Sequence, residues 1–162
     1  MANPDGHGYG VILLTFVAAY VLAVVPLPSW LQWGRPEWVA LTLIYWTIAL
    51  PQRVGIATAL VLGVGLDVLK GSVLGQNAFA LVVVALLALI LYQRLRVYSL
   101  WQQAGVVFIL VGINLLICQW VQNLEGFSLL PQLFLLPALT SALLWPVVLH
   151  ILRGVRRAYR VS

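Results

Sequence analysis

The sequence predicts an all-α polytopic membrane protein, a single domain of six transmembrane helices over residues 1–162, on three observations. Of its 162 residues, 63% are hydrophobic and only 8% charged, where a soluble domain carries about 25% charged side chains to cover its surface. The mean hydropathy is +1.03. Charge-free runs cover 6–34, 38–52, 54–66, 71–93, 97–124 and 126–152, and four of them exceed the ~18–20 residues that a helix needs to cross ~30 Å of hydrocarbon. The alternation of apolar and polar residues expected of a membrane barrel is missing.

The first span is expected at about 9–25, ended by Pro26 and Pro28 of "PLPSW". The preceding "MANPDGHGYG" has no basic region and no small-residue cleavage site follows the apolar run, so this helix is read as retained. A single helix over 38–69 would be ~48 Å long and would bury Arg53 mid-membrane. "ALPQRVG" divides it into spans at about 38–50 and 54–69. Both are short, which predicts local bilayer thinning or burial against longer helices. The remaining spans are expected at about 76–92, 101–122 and 130–152, the last kinked at Pro137 and Pro146.

Cation placement orients the bundle. With both termini in the cytoplasm, seven arginines (53, 94, 96, 153, 156, 157 and 160) lie inside and only Arg35 and Lys70 outside. Trp30, Trp33 and Trp38 then form an outer interfacial belt and Trp101 an inner one. The net charge of +5 is scattered over loops and the tail "RGVRRAYR", which argues for topology and against nucleic acid. That tail either fixes topology or contacts anionic lipid.

Catalytic chemistry has little to work with. Four acids, none near another, form no acid–base pair, and neither a nucleophile–base arrangement nor a phosphate loop occurs. One cysteine, Cys118, excludes an internal disulfide. His7 and His150 lack acidic or thiol neighbours, so no metal site and no cofactor are expected.

The informative stretch is "GVGLDVLKGSVLGQN". An intramembrane carboxylate is costly and points to a role. Small residues recur every fourth position around Asp67: Gly55, Ala59, Gly63, then Gly71 and Gly75. Such spacing shares one helix face and allows close helix packing, within the bundle or against a partner's helix. Asp67 falls at the end of its helix, where the dipole disfavours an anion. Lys70 is one candidate partner, and the amides around Gln76–Asn77, after the chain turns at Gly71 and Gly75, are another. Asp67 either staples this turn or faces a cavity or partner. Of the other polar residues, Asn114 is the expected interhelical hydrogen bond.

"RPEWVALTLIYWTIALPQRVG", "GLDVLKGSVLGQNAFA", "LWQQA" and "LLWPVVL" resemble the MreD family of bacterial rod shape-determining membrane proteins, in its Gram-negative branch, over nearly the whole chain. The resemblance implies a non-enzymatic inner-membrane subunit of the rod complex, which guides side-wall peptidoglycan synthesis. It implies MreC as direct partner and, through it, MreB, RodA and the elongation penicillin-binding transpeptidase. It also implies a fold similar to the six-helix substrate-capture subunits of vitamin transporters. The family's aspartate corresponds to Asp67, its glycines to Gly71 and Gly75, and its Arg-Pro-x-Trp segment to Arg35, Pro36 and Trp38. A competing reading is a ligand-binding or transport subunit, with Asp67, Asn77 and Asn114 lining a pocket for a lipid or small metabolite.

Overall fold

The computed structural model describes residues 4–32, 34–71, 74–124, 126 and 135–161, with the side chains of 4–7 and 31 left aside. Among these residues all regular structure is helical. Six helices of twelve residues or more, α1 (Pro4–Val24), α3 (Trp38–Ala49), α4 (Ile56–Lys70), α5 (Gln76–Val97), α6 (Leu100–Leu124) and α7 (Leu136–Ala158), are accompanied by a single-turn helix, α2 (Ser29–Gln32). By length and composition α5, α6 and α7 can each cross a membrane.

The short helices lie where packing compensates for length. α3 has twelve residues, and Val39 through Thr47 are all buried. It packs against α1, α5, α6 and α7 and forms the centre of the core, with Leu41, Leu43, Ile44 and Trp46 fully enclosed. At ~1.5 Å per residue it is ~18 Å long, well below the hydrocarbon thickness. Burial, not contact with lipid, therefore accommodates it. Trp46 secures the centre by donating its indole N–H to Thr15 Oγ1 of α1, 2.8 Å away. Tyr20 of α1 reaches α4 by donating to the Leu62 carbonyl at 2.5 Å.

Several boundaries differ from those expected. α1 begins at Pro4 instead of residue 9, and α5 continues to Val97 instead of stopping near 92. The extension of α5 carries Arg94 and Arg96 into the last turn, where cations complement the helix dipole. Residues 130–134 of the last expected span lie outside the described residues, and α7 starts at Leu136. Pro137 therefore occupies the first turn, where its missing N–H is harmless, and only Pro146 interrupts the helix interior. Trp33 also lies outside the described residues. Trp30 and Trp101 are exposed, whereas Trp38 packs partly against the core and is no simple interfacial anchor.

Contacts at the helix ends show that the long helices alternate in direction. Arg96, ending α5, donates to the carbonyls of Ile48 and Ala49, which end α3, at 3.0 and 3.1 Å. This arginine end also holds the start of α1, since Gly8 lies against Arg53 and Val161. At the opposite end, Arg35 donates to the carbonyls of Ala23 and Val25, which finish α1. There the Glu37 amide also donates to Ser141 Oγ of α7 at 3.0 Å.

Candidate functional site: a capped turn beside a polar cavity

The α4–α5 turn is built by two glycines in left-handed conformations. Gly71 (φ 64°) ends α4 and its amide closes on the Asp67 carbonyl, while Gly75 (φ 100°) precedes α5. A Cβ at either would meet nothing within 4 Å. Their expected role in helix packing is thus corrected: they are glycine because the backbone turns through a region that other residues enter at a cost.

This turn brings the start of α5 back over the end of α4, where Asp67 is 1% exposed. Its Oδ2 accepts the Gly75 amide at 2.8 Å and, more distantly, the Ala78 amide at 3.5 Å. Its Oδ1 accepts both the backbone and side-chain N–H of Asn77 at 2.9 Å. Gly75 has no side chain to cap α5. The carboxylate of the preceding helix performs that task, filling amides that would otherwise be orphaned. It leaves the unfavourable end of its own helix dipole and faces the favourable end of the next. Lys70, the other expected partner, turns to Glu37, with Nζ 4.0 Å from Oε2.

Close approach of the two helices makes this geometry possible. A Cβ on Gly63 would lie 2.2 Å from the Ala78 Cα and 2.5 Å from its backbone nitrogen. One turn earlier Ala59 is fully buried. Gly55 sits more loosely, since a Cβ there would lie 3.8 Å from the Leu89 side chain. The stripe at Gly55, Ala59 and Gly63 is consequently occupied within the bundle, between α4 and α5.

Beside the capped turn is a polar cavity of about 430 Å³, lined among others by Glu37, Lys70, Gln76, Asn77, Asn114 and Gln122. Asn114 is 2% and Gln76 4% exposed, yet Asn114 Oδ1 and Gln76 Oε1 have no hydrogen-bond partner among the described residues. Asn114 Oδ1 therefore does not make the interhelical hydrogen bond that its position suggested, although Asn114 lines the cavity. The Cys118 thiol donates to Asn77 Oδ1 at 3.6 Å. Asp67 itself is absent from this lining and supports it from behind, by holding Asn77. Gln76, Glu37, Cys118 and Gln122 were not anticipated as a group. The available signal was the four-residue spacing of Asn114, Cys118 and Gln122, which sets them on one face of α6.

The Arg-Pro-x-Trp segment acts locally. Arg35 closes the end of α1, the Pro36 carbonyl accepts the Trp38 amide at 3.0 Å, and Trp38 opens α3. Among the described residues no group of three His, Cys, Asp or Glu side chains could hold a metal ion.

The family model described as rod shape-determining protein MreD matches residues 6–155. A relative named rod shape-determining protein MreD, from Haemophilus influenzae, is 36% identical over 154 residues, which cover 93% of each chain. No solved structure matches. The apolar helices and this relative together make the protein an integral membrane protein, and the chain belongs to the MreD family of rod shape-determining proteins.

Proposed function

We propose that this protein is a non-enzymatic, multi-pass subunit of the inner membrane that binds MreC and helps to organise side-wall peptidoglycan synthesis. Family membership carries this reading. The arginine end is cytoplasmic in this account, since seven of nine basic residues belong to it, and the Asp67 end is periplasmic.

The docking surface is argued from what the bundle leaves uncovered. Small residues of α4 are occupied by α5, so they do not receive a partner helix. An apolar groove of about 400 Å³ runs between α1 and α7, lined by Leu14, Ala18, Leu22, Trp38 and Ile151 among others. Such a groove suits the single membrane helix expected of MreC, because in lipid helix association rests on close van der Waals fit. The test is recovery of MreC and the synthase with tagged protein from native membranes in mild detergent. Wild type recovers both, and Ala18→Trp, which fills the groove, inserts normally but loses them. Undiminished recovery with Ala18→Trp refutes this surface, and failure of wild type to recover MreC refutes the reading.

A second reading, a lipid- or small-molecule-binding subunit, is favoured by the two unpartnered carbonyls in the polar cavity. Buried acceptors of this kind call for a donor. A bacterial polar lipid extract then raises the melting temperature of wild type but not of Asn114→Leu. No shift in wild type removes this reading.

A further inference from the structure

The arginine end holds a second cavity with different chemistry. It has a volume of about 180 Å³, more than ten times the ~10–15 Å³ that admits one water. Arg96 at the end of α5 and Arg153 and Arg156 at the end of α7 line it, together with Tyr45 of α3 and Gln103 of α6. No acidic side chain among the described residues joins them. Three arginines lining one space give it a positive potential that favours an anion.

A separate observation points into the same space. Tyr45 is 4% exposed, and its hydroxyl makes no well-formed hydrogen bond among the described residues, with the Arg156 side chain standing beside it. A buried hydroxyl is normally satisfied. Two of the neighbouring polar groups, Gln103 and Arg96, are already engaged elsewhere. Gln103 Nε2 donates to the Leu95 carbonyl at 2.7 Å and its Oε1 accepts the Trp145 indole N–H at 3.3 Å. Arg96 is positioned by its bonds to the Ile48 and Ala49 carbonyls and lies 5.2 Å from the Tyr92 ring centre. The floor of the site is thus fixed by the buried Gln103 contacts to α5 and α7, while Arg96 and Arg153 reach it from the exposed rim.

We infer that this cavity binds a phosphate-bearing anion, held by Arg96, Arg153 and Arg156 with the Tyr45 hydroxyl as a further donor. Arginine's planar fork matches phosphate oxygens better than a point charge does. Two sources share this chemistry: the headgroup of an anionic phospholipid, reached from the membrane surface, and a small soluble phosphate.

The test uses the whole protein in phosphatidylcholine nanodiscs at about 0.15 M salt, where diffuse attraction is screened beyond ~8 Å. In one arm the discs contain a minor fraction of phosphatidylglycerol, and lipid retained after transfer to detergent is counted by native mass spectrometry. In the other, inorganic phosphate is added to pure phosphatidylcholine discs against chloride of matched ionic strength, and the melting temperature is followed. Selective retention of phosphatidylglycerol identifies the lipid source, and stabilisation by phosphate identifies the soluble one.

In either case R153Q/R156Q is expected to lower binding by about tenfold or more per arginine. R157Q/R160Q removes the same charge from outside the cavity and keeps binding. Tyr45→Phe retains every charge and weakens binding by less than the loss of an arginine does. The inference is overturned if neither probe binds, or if R157Q/R160Q loses as much as R153Q/R156Q. It is equally overturned if Tyr45→Phe binds as wild type does.

Discussion

Substitution of Gly63 by alanine adds one methyl group, yet it is expected to be among the most damaging changes in the chain. The new carbon would lie 2.2 Å from the Ala78 Cα, whereas ordinary contact begins at 3.4 Å, so α4 and α5 must part by about 1 Å. Both neighbours are backbone, and no rotamer can relieve the clash. Overpacking of this kind costs about 1–3 kcal/mol. The same separation stretches the bonds from Asn77 and Ala78 to Asp67, which start at 2.9 and 3.5 Å. Weakening one charge-assisted hydrogen bond adds about 1.5–3 kcal/mol. Alanine's better helix propensity returns only about 0.5–1 kcal/mol. The net expectation is a loss of about 2–5 kcal/mol, read as a lower melting temperature in nanodiscs. Gly55→Ala is the matched control, because its Cβ would stand 3.8 Å from a movable leucine methyl. The reasoning is refuted if Gly63→Ala melts with wild type, or if Gly55→Ala is equally harmful.

Three further outcomes are expected. Asp67→Ala orphans the amides of Gly75, Asn77 and Ala78 and costs about 3–5 kcal/mol, with Asp67→Asn intermediate; hydrogen exchange at those amides should quicken in the same order. Gly71→Leu costs about 1–2 kcal/mol through its left-handed backbone alone, and Gly71→Asn, which tolerates that conformation, should recover most of the melting temperature. Asn114→Leu removes a buried unpartnered carbonyl, so in lipid-free detergent it should melt no lower than wild type; a marked loss would show that the carbonyl is satisfied after all.

What could be read from the sequence divides by the range of the interaction. Asp67, Gly71, Gly75 and Asn77 lie within eleven residues of one another, and helix-end chemistry is local, so the capped turn was among the alternatives that spacing alone offered. Gly63 was legible as a packing residue, but its partner, the Ala78 backbone, depends on how tightly the turn folds back. The spacing that included Gly71 and Gly75 in one stripe misassigned both, because a helical period has no meaning past the end of α4. Of the two candidate partners that spacing offers Asp67, Lys70 is the one set aside, because its ion pair is with Glu37, thirty-three positions earlier and brought near by the packing of the bundle. The arginine cavity was beyond reach for the same reason. A tail read as a topology signal meets Arg96 and Tyr45 only when α3, α5 and α7 share one end.

Within this account the Asp67 cap holds together a bundle required for rod shape, and rescue of cell shape tests that most directly. Cells depleted of their own copy would express wild type, Asp67→Asn or Asp67→Ala at equal membrane levels, with length-to-width ratio measured by microscopy. The account predicts rods with wild type, partial rescue with Asp67→Asn and round cells with Asp67→Ala. Full rods with Asp67→Ala at wild-type membrane levels would contradict it.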